Sequence, residues 1–237
     1  SVSAWKVLKS AFGELRNDPF MYLILVAPIY ILTGFSMTFD DFIIVHNEDF
    51  KLYNYSANSY YIGFIYILFE AYIFSIIAVA IHNKIIKRNI VFKFFSKGVI
   101  IYTLFYLSSY GDFIFYFIQN FNYIILVPVV AVLIITIILS LFAFLWILYL
   151  PNISVEENHS FFYIIKNSYG ARLTIIVQAI YFTIIFLIPY LIISSIGSHS
   201  LGVIYTTPFL FILGVTMLSC TYLEWKELER NTAENNK

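Results

Sequence analysis

Six long apolar runs constrain the fold of this chain more than any other feature of its sequence. An α-helix of about 20 residues crosses the hydrocarbon core of a bilayer, which is roughly 30 Å thick, and every run reaches that length. The runs cover residues 19–38, 58–81, 98–118, 123–150, 173–194 and 201–223. The sequence therefore predicts an all-α membrane protein, a single polytopic domain over residues 1–237 with six transmembrane helices.

The composition agrees with a chain that is surrounded mainly by lipid. Charged residues make up 12% of its 237 residues, whereas a soluble domain carries about 25%. So few charges cannot cover the surface of a soluble globule. Lys and Arg number 14, as do Asp and Glu, and this balance gives no support for nucleic-acid binding. The single Cys220 excludes an internal disulfide, and its apolar surroundings predict a packing role.

The basic residues predict the orientation of the chain. With six spans, every Lys and Arg except Lys51 falls in a segment on one side of the membrane. Because such residues mark the cytoplasmic side, we expect both termini in the cytoplasm and three hairpins that each return there. The basic residues of that side are Lys6, Lys9, Arg16, Lys84, Lys87, Arg88, Lys93, Lys97, Lys166, Arg172, Lys226, Arg230 and Lys237.

A short amphipathic helix, lying in the cytoplasmic membrane interface, is predicted before each hairpin. The first covers residues 3–18, and the second, in residues 92–98, is shorter and matches the others only in character. The apolar face of the first helix holds Trp5, Leu8, Phe12 and Leu15. We expect aromatic and basic residues of the first and third helices to anchor the protein in the interface. These anchors are Trp5, Lys9, Phe12, Phe162, Lys166 and Tyr169.

The third amphipathic helix is predicted within residues 151–172. Ser154, followed three residues later by Glu157, has the spacing of a capping box and would begin the helix. Gly170 would end it, shortly before the fifth apolar run. The predicted apolar face holds Phe161, Phe162, Ile164, Ile165 and Tyr169, and the polar face holds Lys166, Asn167 and Arg172.

The three hairpins and their preceding helices suggest a threefold internal pattern. Its units are residues 3–81, 88–150 and 154–223, followed by a charged tail at 224–237. The short helices that open the first and third units align without gaps, and the alignment pairs Lys9 with Lys166, Phe12 with Tyr169 and Gly13 with Gly170. Either the chain is a true triplication, or any interfacial helix requires aromatic residues, lysine and a final glycine.

Three segments of the chain carry a resemblance. They are Leu150-Pro151-Asn152-Ile153-Ser154 with Lys166-Asn167-Ser168-Tyr169-Gly170-Ala171-Arg172, the opening Ala4-Trp5-Lys6-Val7-Leu8-Lys9 with Asn17-Asp18-Pro19, and Val79-Ala80-Ile81-His82-Asn83-Lys84. Together they resemble an uncharacterised family of six-span bacterial inner-membrane proteins, which often has Trp in place of Ile81. The chain is also similar to the membrane domain that precedes some glycerophosphodiester phosphodiesterases. The resemblance implies a bacterial inner membrane, with an organellar inner membrane as the alternative, and assigns no catalytic residue.

Three polar residues within the apolar runs are candidates for a site, namely Glu70, Asp112 and Gln178. An ionisable group at membrane depth is costly unless it is paired, protonated or hydrated, so Glu70 and Asp112 are candidates for function. No Lys or Arg lies inside a run, and we therefore expect both carboxyl groups to be protonated. The alternative is that they hold neighbouring helices together by hydrogen bonds, which is also our interpretation of Gln178.

No set of residues predicts catalysis or a metal site. His46 and His199 fall in external loops, and His82 and His159 fall on the cytoplasmic side. No two histidines have the spacing of metal ligands on one helix. The sequence has no phosphate-binding loop, nucleophile elbow or zinc-protease motif. We therefore expect neither an enzyme nor a cofactor.

Two functions stay open on the sequence alone. The first is a non-enzymatic inner-membrane protein, either an accessory or scaffold subunit of a membrane complex or a lipid-organising protein. Its partners would be membrane lipids and the proteins of that complex. The second is a small proton- or cation-linked transporter, in which Glu70 is the coupled carboxyl group and Asp112 lies near the outer mouth.

Overall fold

A computed structural model describes residues 2–48, 57–107, 134, 147–157, 159–197 and 199–235. Across these ranges the regular structure is helical, with no strand. The helices are α1 (Ala4–Asn17), α2 (Pro19–Glu48), α3 (Ala57–Lys87), α4 (Lys97–Leu107), α5 (Tyr149–Ser154), α6 (Phe161–Asn167), α7 (Tyr169–Ile196) and α8 (His199–Asn235). The described chain is therefore all-α, as the apolar runs predict.

Several helices are long and apolar enough to cross a membrane. The described residues contain three such stretches, Ile65–Lys87 in α3, Tyr169–Ile196 as α7, and Ile204–Glu234 in α8. A fourth candidate combines α1 with Pro19–Phe35 of α2, although these two helices meet at 94°. Helix α4 is apolar but short. Most of the third and fourth predicted runs lies outside the described residues, as does Asp112.

A sharp bend separates α1 from α2, and the local sequence explains it. Ser3 caps α1, because its Oγ accepts a hydrogen bond from Lys6 N at 3.4 Å. Asp18 leaves helical geometry with a φ of −142°, and its Oδ1 accepts a hydrogen bond from Met21 N at 3.4 Å. Pro19 then begins α2, a position where its missing N–H costs no hydrogen bond. Helix α1 therefore lies across the end of α2.

The buried face of α1 differs in part from the predicted face. Val7, Leu8 and Ala11 are buried where α1 packs on α7 and α8. Trp5 and Phe12, which were predicted for one apolar face together with Leu8, are 69% and 45% exposed. The aliphatic residues face the protein, and the two aromatic residues consequently lie on the outside of the bundle.

Helix α8 lies at the centre of the bundle and packs on α1, α2, α3 and α7. Small buried residues permit close packing, including Thr216, Ser219 and Cys220 on α8 and Ser75 and Ala78 on α3. Each of the three hydroxyl groups donates a hydrogen bond to the carbonyl four residues earlier on its own helix. Burial of these hydroxyl groups therefore leaves no donor unsatisfied.

The start predicted for the amphipathic helix within residues 151–172 is wrong. Ser154 ends α5 rather than beginning a helix, and its Oγ donates to Leu150 O at 2.6 Å. Helix α6 begins after Ser160, whose Oγ accepts a hydrogen bond from Tyr163 N at 3.2 Å. A serine hydroxyl can cap a following helix or bond to the preceding turn, and sequence spacing does not distinguish these arrangements.

The predicted end of this helix and the predicted position of Arg172 are also wrong. Helix α6 ends at Asn167, and Gly170 lies in the first turn of α7. Arg172 is buried, and its Nη2 donates to Ile165 O at 2.7 Å. That carbonyl is one of the last four of α6, which have no partner within the helix. Arg172 therefore joins the end of α6 to α7.

Candidate functional site

The described basic segments converge at one end of the bundle, here called the polar face. It consists of α1, residues 82–97, α5, α6 and residues 222–230 of α8. Ion pairs join these segments to one another. They are Lys6–Glu224 (2.8 Å), Lys84–Asp18 (3.1 Å), Arg88–Glu14 (2.5 Å), Lys93–Glu156 (2.8 Å) and Lys226–Glu157 (2.6 Å). Segments that the sequence assigns to the cytoplasmic side thus lie together.

Glu157 connects the segment between α5 and α6 to α8. Its Oε2 accepts hydrogen bonds from the Tyr222 hydroxyl at 2.7 Å and from Lys226 Nζ at 2.6 Å. Partial burial opposes ionisation of Glu157, but the hydrogen bonds from Lys226 and Tyr222 outweigh it and lower the pKa of the carboxyl. The Tyr222 hydroxyl also lies 3.0 Å from Asn152 Oδ1. The carboxylate therefore has a structural role at the polar face.

The end of α3 and the start of α4 lie against α5. Asn83 Nδ2 donates to Ser154 O at 3.1 Å, and Lys87 Nζ donates to Val155 O. A Cβ added at Gly98 would lie 3.0 Å from Ser154 Cα, so only glycine fits there without movement. The start of α4 and helix α5 therefore lie together at the polar face.

Exposed aromatic residues and lysines lie in or next to the segments of the polar face, and we call this set the interfacial ring. Its aromatic side chains range from partly to almost wholly exposed, with Phe95 at 93% and Phe162 at 79%. Its lysines are exposed and form no ion pair with any described residue. The ring consists of Trp5, Lys9, Phe12, Phe94, Phe95, Lys97, Phe162, Lys166 and Tyr169. The set includes the six predicted anchors, which are all exposed, and their contact with a membrane stays a prediction.

His82 is fully buried and connects three helices by hydrogen bonds. Its Nδ1 lies 2.6 Å from Ser219 Oγ on α8, and its Nε2 contacts the Tyr102 hydroxyl on α4. Ser219 donates its hydroxyl proton to Val215 O at 2.9 Å, so it accepts from His82. These bonds assign a neutral imidazole with the proton on Nδ1, and Nε2 accepts from Tyr102.

The sequence predicts only that His82 lies on the cytoplasmic side and does not indicate that it connects helices. The available signal was a polar residue directly after the second apolar run. Its partners lie 20 and 137 residues further along the chain, so no local pattern connects them.

An apolar cavity of about 490 Å³ lies beside Tyr102, between α3, α4, α7 and α8. Aromatic rings form one wall, with centroid distances of 5.0 Å for Phe74–Phe211 and 5.5 Å for Tyr106–Phe211. The other lining residues are mostly aliphatic or small. The lining consists of Ala71, Phe74, Tyr102, Phe105, Tyr106, Ile147, Leu150, Ile175, Gln178, Ala179, Thr207, Leu210, Phe211, Gly214, Val215, Met217 and Leu218.

The remaining predicted site residues lie in or near this cavity where they are described. Gln178 is buried, and its Nε2 donates to Thr221 Oγ1 at 3.1 Å, which connects α7 to α8. Glu70 is only 3% exposed and directly precedes Ala71 of the lining. Asp112 lies outside the described residues.

Comparisons of the chain with protein-family models, with curated proteins and with solved structures find no match.

Proposed function

We propose that this chain is a six-span, non-enzymatic protein of a bacterial inner membrane that organises lipids at the cytoplasmic surface. The observation that carries the proposal is the interfacial ring of exposed aromatic residues and lysines around the polar face. Aromatic side chains concentrate at membrane–water interfaces. Lysines without a carboxylate partner attract anionic headgroups, with about 1 kcal/mol for each residue near the surface.

Two observations support the six-span topology. Helix α4 starts beside Ser154, and the chain returns to that face after residues 108–146. Residues 98–150, which hold the third and fourth predicted runs, are enough for two helical crossings of about 20 residues each. The 94° angle between α1 and Pro19–Phe35 lets α1 lie in the interface while α2 crosses the bilayer. Both termini are then cytoplasmic, and the chain would fit the six-span family that its sequence resembles.

The experiment is lipid analysis of the full-length protein extracted with its surrounding native membrane. In a triple variant, Lys9→Gln, Lys97→Gln and Lys166→Gln, we expect less anionic lipid, by about fivefold for each lysine at most. Arg230→Gln is the control, because Arg230 is similarly exposed but is paired with Glu234 at 4.0 Å. An unchanged lipid ratio, together with a stoichiometric protein partner, would instead establish an accessory subunit.

The burial of Glu70 favours a second candidate, a proton- or cation-linked transporter. Under this hypothesis, Glu70→Gln abolishes solute uptake into vesicles while the protein still inserts and folds. Under the lipid-organising hypothesis the same change is nearly silent, because Gln keeps the shape and hydrogen-bonding capacity of the side chain. Uptake that is unaffected by Glu70→Gln would eliminate the transporter role of this residue.

A further inference from the structure

Most of the cavity lies within the membrane-length helices, and it reaches the polar face at Leu150 of α5. On α8 its lining extends from Thr207 to Leu218, about 16 Å along the helix axis, within Ile204–Glu234. On α3 and α7 its lining also falls inside the stretches long enough to cross a membrane. A molecule in the cavity would therefore lie level with lipid tails.

Few residues of the lining are polar, and two of them, Tyr102 and Gln178, already have protein partners. Tyr102 donates to His82, and Gln178 bonds to Thr221. Water needs two to four polar partners in a buried site, so water is a poor occupant of this cavity. A ligand that bonds to Tyr102 or Gln178 would have to displace one of these internal bonds. The lining therefore favours hydrocarbon.

The rim of the cavity is accessible from the side of the bundle. Ala179 on α7 is exposed and Phe105 on α4 is partly exposed, although both line the cavity. Helix α7 packs on α8 and α1, whereas α4 packs on α3 and α5. The described rim of the cavity therefore includes residues of α4 and α7 that reach the surface of the bundle.

We propose that this cavity is a binding site for one hydrocarbon chain of a membrane lipid, which enters sideways between α4 and α7. Its volume, about 490 Å³, falls within the range of roughly 300–1,000 Å³ that is typical of ligand sites. The aromatic wall and the aliphatic residues opposite provide close contacts that an empty cavity lacks. The proposal is independent of the interfacial ring, which would act on headgroups.

The test uses the full-length protein in vesicles of phosphatidylethanolamine and phosphatidylglycerol. A trace phospholipid carries a photoreactive diazirine at the end of one acyl chain, and cross-linked positions are mapped by mass spectrometry. We expect saturable labelling of Met217, which is buried in the lining, and non-saturable labelling of Ile184, which is 56% exposed. A second series with a photoreactive free fatty acid determines whether a diacyl lipid or a single chain is the better source.

Ala179→Phe should fill the cavity and lower the labelling of Met217 by about tenfold. Ala27→Phe is the matched control, because Ala27 is also exposed but lies on α2, away from the lining. Ile175→Phe replaces Ala179→Phe if the first variant does not fold. Labelling of Met217 that is non-saturable, or that a folded cavity variant leaves unchanged, would overturn the proposal. The lysine variants should lose anionic headgroup enrichment while the labelling of Met217 stays unchanged.

Discussion

Helices α3 and α7 have nearly the same hydropathy but opposite surroundings. Their membrane-length stretches have mean hydropathies of 2.0 and 2.3, yet 67% of the first is buried inside the protein and only 6% of the second. The buried residues of α7 include a narrow line, Ala171, Thr174 and Gln178, that follows helical spacing. Hydropathy therefore identifies both as candidate spans, whereas the distribution of small and polar residues reveals which one faces protein.

The comparison also explains where the polar residues lie. On α3, Ser75 and His82 are buried against α4 and α8. On α7, the exposed positions are almost all apolar, and Gln178 turns towards α8. In lipid a polar group requires a protein partner, so a polar residue in such a helix marks the side that packs on protein.

The largest expected difference between the two helices comes from truncating an isoleucine on each. Ile81→Ala on α3 should lower the free energy of unfolding by about 3 kcal/mol, because it leaves a cavity in the core. Ile81 is fully buried, whereas Ile184 on α7 is 56% exposed. Ile184→Ala should therefore change stability by less than about 1 kcal/mol. Denaturant titrations of both purified variants measure the difference, and equal losses would show that α7 is as buried as α3.

The next effect concerns the hydrogen bonds of α3. His82→Leu should lower the free energy of unfolding by about 2 kcal/mol, because the buried Tyr102 hydroxyl loses its acceptor. Adding Tyr102→Phe removes that donor and should recover part of the loss. A double-mutant cycle on thermal or denaturant unfolding measures this coupling. Strictly additive losses would mean that the two side chains do not interact.

The sequence predicts some parts of this fold because they depend on local composition. The apolar runs locate α2, α3, α7 and α8, and the basic residues anticipate which segments meet at the polar face. Trp5 and Phe162, which the local pattern predicts as anchors, are both on the surface. What a residue does locally, through its own hydropathy or charge, can thus be inferred without the fold.

Other parts depend on contacts between distant residues. The central position of α8, the cavity and the partners of His82 each require knowledge of which helices are neighbours. The start of α6 was mispredicted because Ser154 and Ser160 are both plausible caps, and only the fold gives Ser154 its buried position against Gly98. The sequence could therefore predict individual residues of the site, but not which of them are in contact with one another.

A smaller effect should follow from the bond between α7 and α8. Thr221→Val removes the partner of Gln178 and should lower the free energy of unfolding by about 0.6 kcal/mol, a typical value for a hydrogen bond between membrane helices. Thr206→Val is the control, because the described bond of Thr206 is to Gly202 O on its own helix. If both variants lose the same stability in denaturant titrations, the Gln178 bond does not contribute to holding α7.

The smallest effect concerns the segment that leads into α7, which Glu157 connects to α8. The pKa of the Glu157 carboxyl is lowered from the ordinary value of 4.5. The stabilisation that this carboxylate contributes is therefore present above pH 4.5 and is lost as the pH falls through the pKa of the folded state. Because the carboxylate is only partly buried, we expect Glu157→Gln to cost less than about 1 kcal/mol at neutral pH.

Unfolding titrations at neutral pH and below pH about 4 test the sign of this effect. The stability difference between the native chain and Glu157→Gln should shrink at the lower pH, where the native carboxyl becomes protonated. Glu234→Gln provides the control, because its pair with Arg230 at 4.0 Å is exposed on both sides and should contribute almost nothing. A difference that grows on acidification would contradict a lowered pKa and would mean that Lys226 and Tyr222 do not stabilise the charged form. Helix α7 would then depend on the buried line of Ala171, Thr174 and Gln178 and on Arg172 for its attachment, which would make the contrast with α3 sharper still.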